Sequence, residues 1–154
     1  MINSIKAGII AIIPQYTETG DSTYVCTYKG DNNIYNMSIK SFLKKLYFMH
    51  SIDLIAQKNK FKKLGIHQNA PIILDDQIFI KVRVRKPIGK SDGAYGYVNI
   101  QAVDKIKQKD ENTIVILNTG EEIISRDSYN TLAKNLMIGK ELESTRRGEL
   151  KVKS

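Results

Sequence analysis

Gln77-Ile78-Phe79-Ile80-Lys81-Val82-Arg83-Val84-Arg85 is the stretch on which the fold turns. Ile78, Ile80, Val82 and Val84 fall on one side of a period-two pattern, and Phe79, Lys81, Arg83 and Arg85 on the other. That alternation predicts a β-strand with one face in a core and one face outward. Three cations then stand in a row about 7 Å apart, from a rise of ~3.3 Å per residue. Such a row suits the backbone of a polyanion. Arg83 and Arg85 also suit a narrow minor groove, where the potential of DNA is most negative. A solvated edge strand that uses charge against aggregation would show the same pattern.

The neighbouring segments favour the polyanion. Downstream, Lys86-Pro87-Ile88-Gly89-Lys90-Ser91-Asp92-Gly93 continues the basic row as a polar loop. Upstream, Lys58-Asn59-Lys60-Phe61-Lys62-Lys63 packs four lysines around one aromatic, with Phe61 read as a core anchor. Between Lys40 and Lys90 twelve basic residues meet only Asp53, Asp75 and Asp76, a net +9 in a chain of 154 residues and net charge +8. The whole excess is therefore local, and a local positive field calls for a polyanionic partner. The candidate DNA-binding residues are Lys58, Lys60, Lys62, Lys63, Lys81, Arg83, Arg85, Lys86 and Lys90.

The rest of the chain reads as an α+β domain, mainly antiparallel β-sheet. Gly8 to Ile13, closed by Pro14, predicts a strand, as do Thr23 to Lys29 and Ile34 to Met37, separated by turn residues. After the cap residue Ser38 the period changes: Ile39, Phe42, Leu43, Leu46 and Met49 recur at helical spacing, an amphipathic helix near 38–50. Ser51 to Lys58 suggests a second short helix. Further strands are expected near 61–67, 71–74, 77–85, 97–100 and 102–107. A hairpin turned by Asn118-Thr119-Gly120 follows. Asp127 or Ser128 caps a C-terminal helix near 127–138, which Gly139 would stop. Residues 1–139 form one domain on this reading, and 140–154 a charged, flexible tail.

Other signals fall short of chemistry. Gly89-Lys90-Ser91 lacks the earlier glycine of a phosphate-binding loop, since position 84 is valine. His50, His67 and a single cysteine, Cys26, are too few and too scattered for a zinc site. Cys26 reads as a small strand residue in a reducing compartment. Asp75-Asp76 reads as a turn, and no serine or cysteine has a recognisable base partner, so neither a catalytic centre nor a cofactor is expected. The apolar run from Ala7 to Pro14 is too short to span a bilayer and lacks a cleavage pattern after it. Neither a membrane nor a small-molecule substrate is expected as a partner, and the expected location is cytoplasmic, at the nucleoid.

Ala70-Pro71-Ile72-Ile73-Leu74-Asp75, followed by Gln77-Ile78-Phe79-Ile80, resembles the Pro-Pro-Ile segment and Ile-Phe-Phe strand of the ComK family of bacterial competence transcription factors. Ile10-Ala11-Ile12-Ile13-Pro14 is similar to the family's N-terminal strand. Lys44-Lys45-Leu46-Tyr47-Phe48-Met49, with Lys58, stands where the family has a basic, aromatic-rich helix and an Arg-Lys pair. Gly96-Tyr97-Val98-Asn99 resembles its Gly-Trp-Ile-Ser strand, and Thr119-Gly120 its hairpin. Ser128-Tyr129-Asn130-Thr131-Leu132 resembles the opening of its last helix. The likeness spans about residues 8–136. It implies a cytoplasmic regulator of transcription that binds paired A/T-rich boxes of double-stranded DNA from the minor-groove side. Such a regulator acts as a homodimer or higher homo-oligomer and works with RNA polymerase.

Two departures stand out. Where the family runs into Pro-Thr and serines, this chain has Lys81-Val82-Arg83-Val84-Arg85, so the DNA-contact assignment of that strand comes from its residues alone. The family's aromatic-proline-lysine signature is absent from residues 140–154. Two rivals use the same charge. Tyr97 to Leu136 also resembles a LytTR-like domain, which reads the major groove, and a +9 field serves an RNA-binding module equally well.

Overall fold

The computed structural model describes residues 8–86, 88 and 93–153. Two sheets and three helices make an α+β fold. Strands β1 (Ile9–Thr17), β2 (Gly20–Thr27) and β3 (Asn33–Tyr35) lead into helices α1 (Ile39–Met49) and α2 (Leu54–Lys63). Strands β4 (Ile72–Leu74), β5 (Gln77–Arg83) and β6 (Tyr95–Asn99) complete a six-stranded sheet in the order β3-β2-β1-β6-β5-β4. Every pairing in it is antiparallel. A 3-10 turn leads to β7 (Val103–Lys109), β8 (Asn112–Leu117) and β9 (Glu122–Ser125), a second antiparallel sheet, and then to helix α3 (Tyr129–Lys153).

The alternation of β5 divides the core as its sequence predicts. Ile78, Ile80 and Val82 join Val115 of β8 and Leu132 and Leu136 of α3 in one apolar cluster. Phe79 points the other way, into a cluster with Phe42, Leu43 and Leu46 of α1. The large sheet is thus covered by α1 on one face, and by α3 with the small sheet on the other. Both faces of β5 are buried in its first half, so it is an interior strand and not the solvated edge that its charges could suggest.

Four expectations change. Pro14 does not end β1, which runs on to Thr17 paired with β2. The pairing of β1 with β6 covers only Ala11 and Ile12, so the missing N–H of Pro14 costs no ladder bond on that side. The strand expected at 61–67 is helical as far as Lys63. Asp53 caps α2 by accepting from the Ala56 N–H at 3.0 Å, and the segment it starts is free of β-branched residues after Ile55. Gly139 does not stop α3. A Cβ there would stand 3.0 Å from Ile100 Cγ2 and 3.2 Å from Ile80 Cγ2, so the glycine lets the helix lie close against the sheet. The helix continues through the expected tail, with Leu142 buried against the core.

The fourth change concerns the end of β5. Beyond Arg83 the strand is clasped by the chain after β9: the Arg83 N–H donates to Asp127 Oδ2 at 2.8 Å, and its carbonyl accepts from the Arg126 N–H at 2.7 Å and from Ser125 Oγ at 3.1 Å. With those groups taken, the chain turns away, and Arg85 does not extend the row of Lys81 and Arg83.

Helix α2 is fixed beside the opposite end of the sheet by two residues. Phe61 is buried in the core with Ile73 and Ile78. Gln57 pairs with the backbone of edge strand β4, donating from Nε2 to the Ile73 carbonyl at 2.7 Å and accepting from the Ile73 N–H at 3.2 Å.

Candidate nucleic-acid interface

An amphipathic helix that buries Ile39, Phe42, Leu43 and Leu46 must turn its remaining residues outward. On α1 those include Lys40 and Lys44, one turn apart and exposed. On α2 the single apolar anchor Phe61 leaves Lys58 and Lys62 exposed, also one turn apart. From the sheet, Lys81 of β5 and its register partner Tyr97 of β6 face the same space. These residues line one cleft of about 690 Å³, with Tyr47 and His67 also at its walls. Among the described residues five lysines converge there, and no aspartate or glutamate lines it.

The electrostatics of the cleft are unbalanced. Lys81 is half-buried, and burial pushes its pKa below the ordinary lysine value, with the nearby Lys58 charge pushing the same way. Its ammonium lies 4.8 Å from the centre of the Tyr95 ring, whose π face offsets part of that cost. Among the described residues none of the five lysines has a carboxylate within ion-pair distance. Burial pushes the Tyr97 phenol up to about 12, and raises that of Tyr47 as well, so both stay neutral donors at physiological pH. The arrangement can hold an extended anion, with neutral hydroxyls between the cations.

The nine residues singled out by sequence divide. Lys58, Lys62 and Lys81 meet in the cleft. Lys60 and Lys63 are exposed on other faces of α2. Arg83 is exposed at the end of β5, and Lys86 lies exposed beyond it. Arg85 is withdrawn from the surface, its side chain 10% exposed, with Nη1 2.9 Å from Asp21 Oδ1 of β2, itself 17% exposed. Neither partner gains an aligned hydrogen bond from the other, so charge holds the pair. The guanidinium also stacks 4.1 Å from the centre of the Tyr16 ring, and Nε donates to the Gly93 carbonyl at 2.7 Å. Arg85 is therefore held within the fold by Asp21, Tyr16 and Gly93, whereas Arg83 and Lys86 are exposed. Lys90 lies outside the described residues.

Sequence reasoning passed over Lys40, Lys44, Tyr47 and Tyr97. The four-residue spacing of Lys40 and Lys44 on the polar face of a helix was the available signal. Nothing local indicated that α1 and α2 would flank one opening.

His50 and Cys26 are engaged within the fold. His50 caps α1, and its Nδ1 lies 2.7 Å from Asp75 Oδ2 in the β4–β5 turn. Cys26 is buried, and desolvation, with the Glu121 charge nearby, raises its thiol pKa away from reactivity. Among the described residues no group of three or more metal-ligating side chains comes together, and no helix is long and apolar enough to cross a membrane. No family model, curated protein or solved structure matches this chain.

Proposed function

We propose that the protein binds double-stranded DNA and regulates transcription, and that it holds one phosphate-bearing strand along the cleft between α1 and α2. The observation that carries this reading is the convergence of Lys40, Lys44, Lys58, Lys62 and Lys81 on one opening that no acid lines among the described residues. Burial and the nearby Lys58 charge disfavour the charged form of Lys81, and a phosphate between the two ammoniums replaces a repulsion with two attractions. The resemblance to ComK supports an A/T-rich target, a homodimeric or larger assembly and a place at the nucleoid. Arg83, still exposed, is the arginine of β5 available to a minor groove.

The test is the salt dependence of duplex binding. Five lysine–phosphate contacts give a log–log slope of about −4.5. Replacing Lys58, Lys62 and Lys81 together leaves two, and the slope flattens to about −1.8. The control pair Lys60→Ala and Lys63→Ala, on the same helix but outside the cleft, changes the slope far less. Equal losses from both sets would refute the cleft as the binding surface. Tighter binding to RNA than to A/T-rich duplex would replace DNA with RNA as the partner. Indifference to distamycin would move the contact to the major groove.

A further inference from the structure

We propose that Phe48 is a wedge that inserts between base pairs of the duplex held by the lysine cleft; this rests on the DNA-binding reading above. Three of the four phenylalanines are core residues: Phe42, Phe61 and Phe79 are at most 3% exposed. Phe48 is 86% exposed, on a helix whose apolar stripe is already complete without it. The fold does not use this ring.

Its surroundings specify its partner. Lys40, Lys44 and Phe48 recur every four residues along α1, each about 6 Å further along the axis, so two cations and then an aromatic form one stripe. Lys44 lines the cleft and also borders the shallow depression made by Lys45, Phe48 and Met49. The ring thus stands at the end of the electropositive track, flanked by Lys44 and Lys45. A second copy of this surface would bring the same lysines face to face, and like charges oppose that docking. A partner that is anionic at its rim and offers flat apolar faces within answers both features, and a stack of base pairs edged by phosphates is such a partner. Apolar side chains inserted at a base step unstack it and bend the duplex, most easily at the flexible steps of A/T-rich sequence.

The chain contains no tryptophan, so Phe48→Trp supplies a sole reporter at the site in question. With an A/T-rich duplex, Phe48→Trp should keep the parent's affinity, and its emission should be quenched as the indole stacks on bases. Phe48→Ala should bind roughly tenfold more weakly with the salt slope unchanged, because a phenyl ring displaces no counterions. Energy transfer between dyes at the duplex ends should report a bend with the parent that Phe48→Ala loses. If Phe48→Ala binds and bends as the parent does while the cleft-lysine variants lose binding, the wedge is wrong and the cleft stands. Quenching by single strands but not by duplex also overturns it, as does an emission shift that follows protein concentration without DNA. If the parent itself binds no duplex, the DNA-binding reading falls and takes the wedge with it.

Discussion

Lys81 and Arg85 lie four residues apart in one basic run, and the fold treats their two regions oppositely. Around Arg85, β2 supplies Asp21 and β1 supplies Tyr16, and the guanidinium pairs with one and stacks on the other. Around Lys81, β6 supplies Tyr95 and Tyr97 and α2 supplies Lys58, so the ammonium meets rings and a like charge. A planar guanidinium can satisfy a flat, largely buried slot by stacking and pairing at once, whereas an ammonium remains a point charge that wants an anion. The lesson is that a cation's availability is decided by what its neighbours bring to it. The sign and spacing of the run say only that charge is present.

The contrast breaks most sharply at Asp21. Asp21→Ala leaves a guanidinium buried without its counter-charge, and urea denaturation should show a loss of about 3 kcal/mol. The double change Asp21→Val with Arg85→Met should recover most of it, since apolar substitutes for a buried pair are often neutral. Duplex affinity per folded molecule should not move in either. If Asp21→Ala cost almost nothing, Arg85 would be as free as Lys81 and the distinction would collapse.

At the other end of the run, Lys81→Met should weaken duplex binding about tenfold, with the salt slope shallower by about one. Unlike the Asp21 variant, it should leave the unliganded protein slightly more stable. A smaller effect sharpens the same point. The Lys81 pKa in the folded chain lies below the ordinary 10.5, so folding penalises its charged form. That penalty is full below the folded pKa and fades as the pH climbs through it toward 10.5. The parent should therefore gain stability relative to Lys81→Met across that alkaline interval. Duplex binding should begin to weaken at a lower pH than the other cleft lysines alone would give, and Lys81→Arg, charged throughout, should remove that early onset.

The strand pattern of 77–83 was legible because a period of two is a local property, and it divided the core correctly between Ile78, Ile80, Val82 and Phe79. Helix α1 and the turn at Gly120 were legible for the same reason: spacing and capping act within a few residues. What failed was long-range. Lys60-Phe61-Lys62 alternates like a strand over three residues, and only the cap at Asp53 and the anchoring of Phe61 decide for helix. Gly139 looks like a stop, yet its lack of a side chain answers to Ile80 and Ile100, far away in sequence. Arg85 reads as outward until Asp21, 64 residues earlier, is brought beside it. The cleft itself was half visible, through Lys58, Lys62 and Lys81; the other wall belongs to a helix whose position no local pattern encodes.

One amide governs how that opening is gauged. Through Gln57, helix α2 takes the place a seventh strand would occupy beside β4, engaging a single donor and a single acceptor of its backbone. Lys58 is the next residue in the chain, so the spacing between the lysine-bearing wall and the floor at Lys81 is inherited from the hydrogen-bond lattice of the sheet. The gap is thereby measured in strand widths, and the ruler is part of the fold.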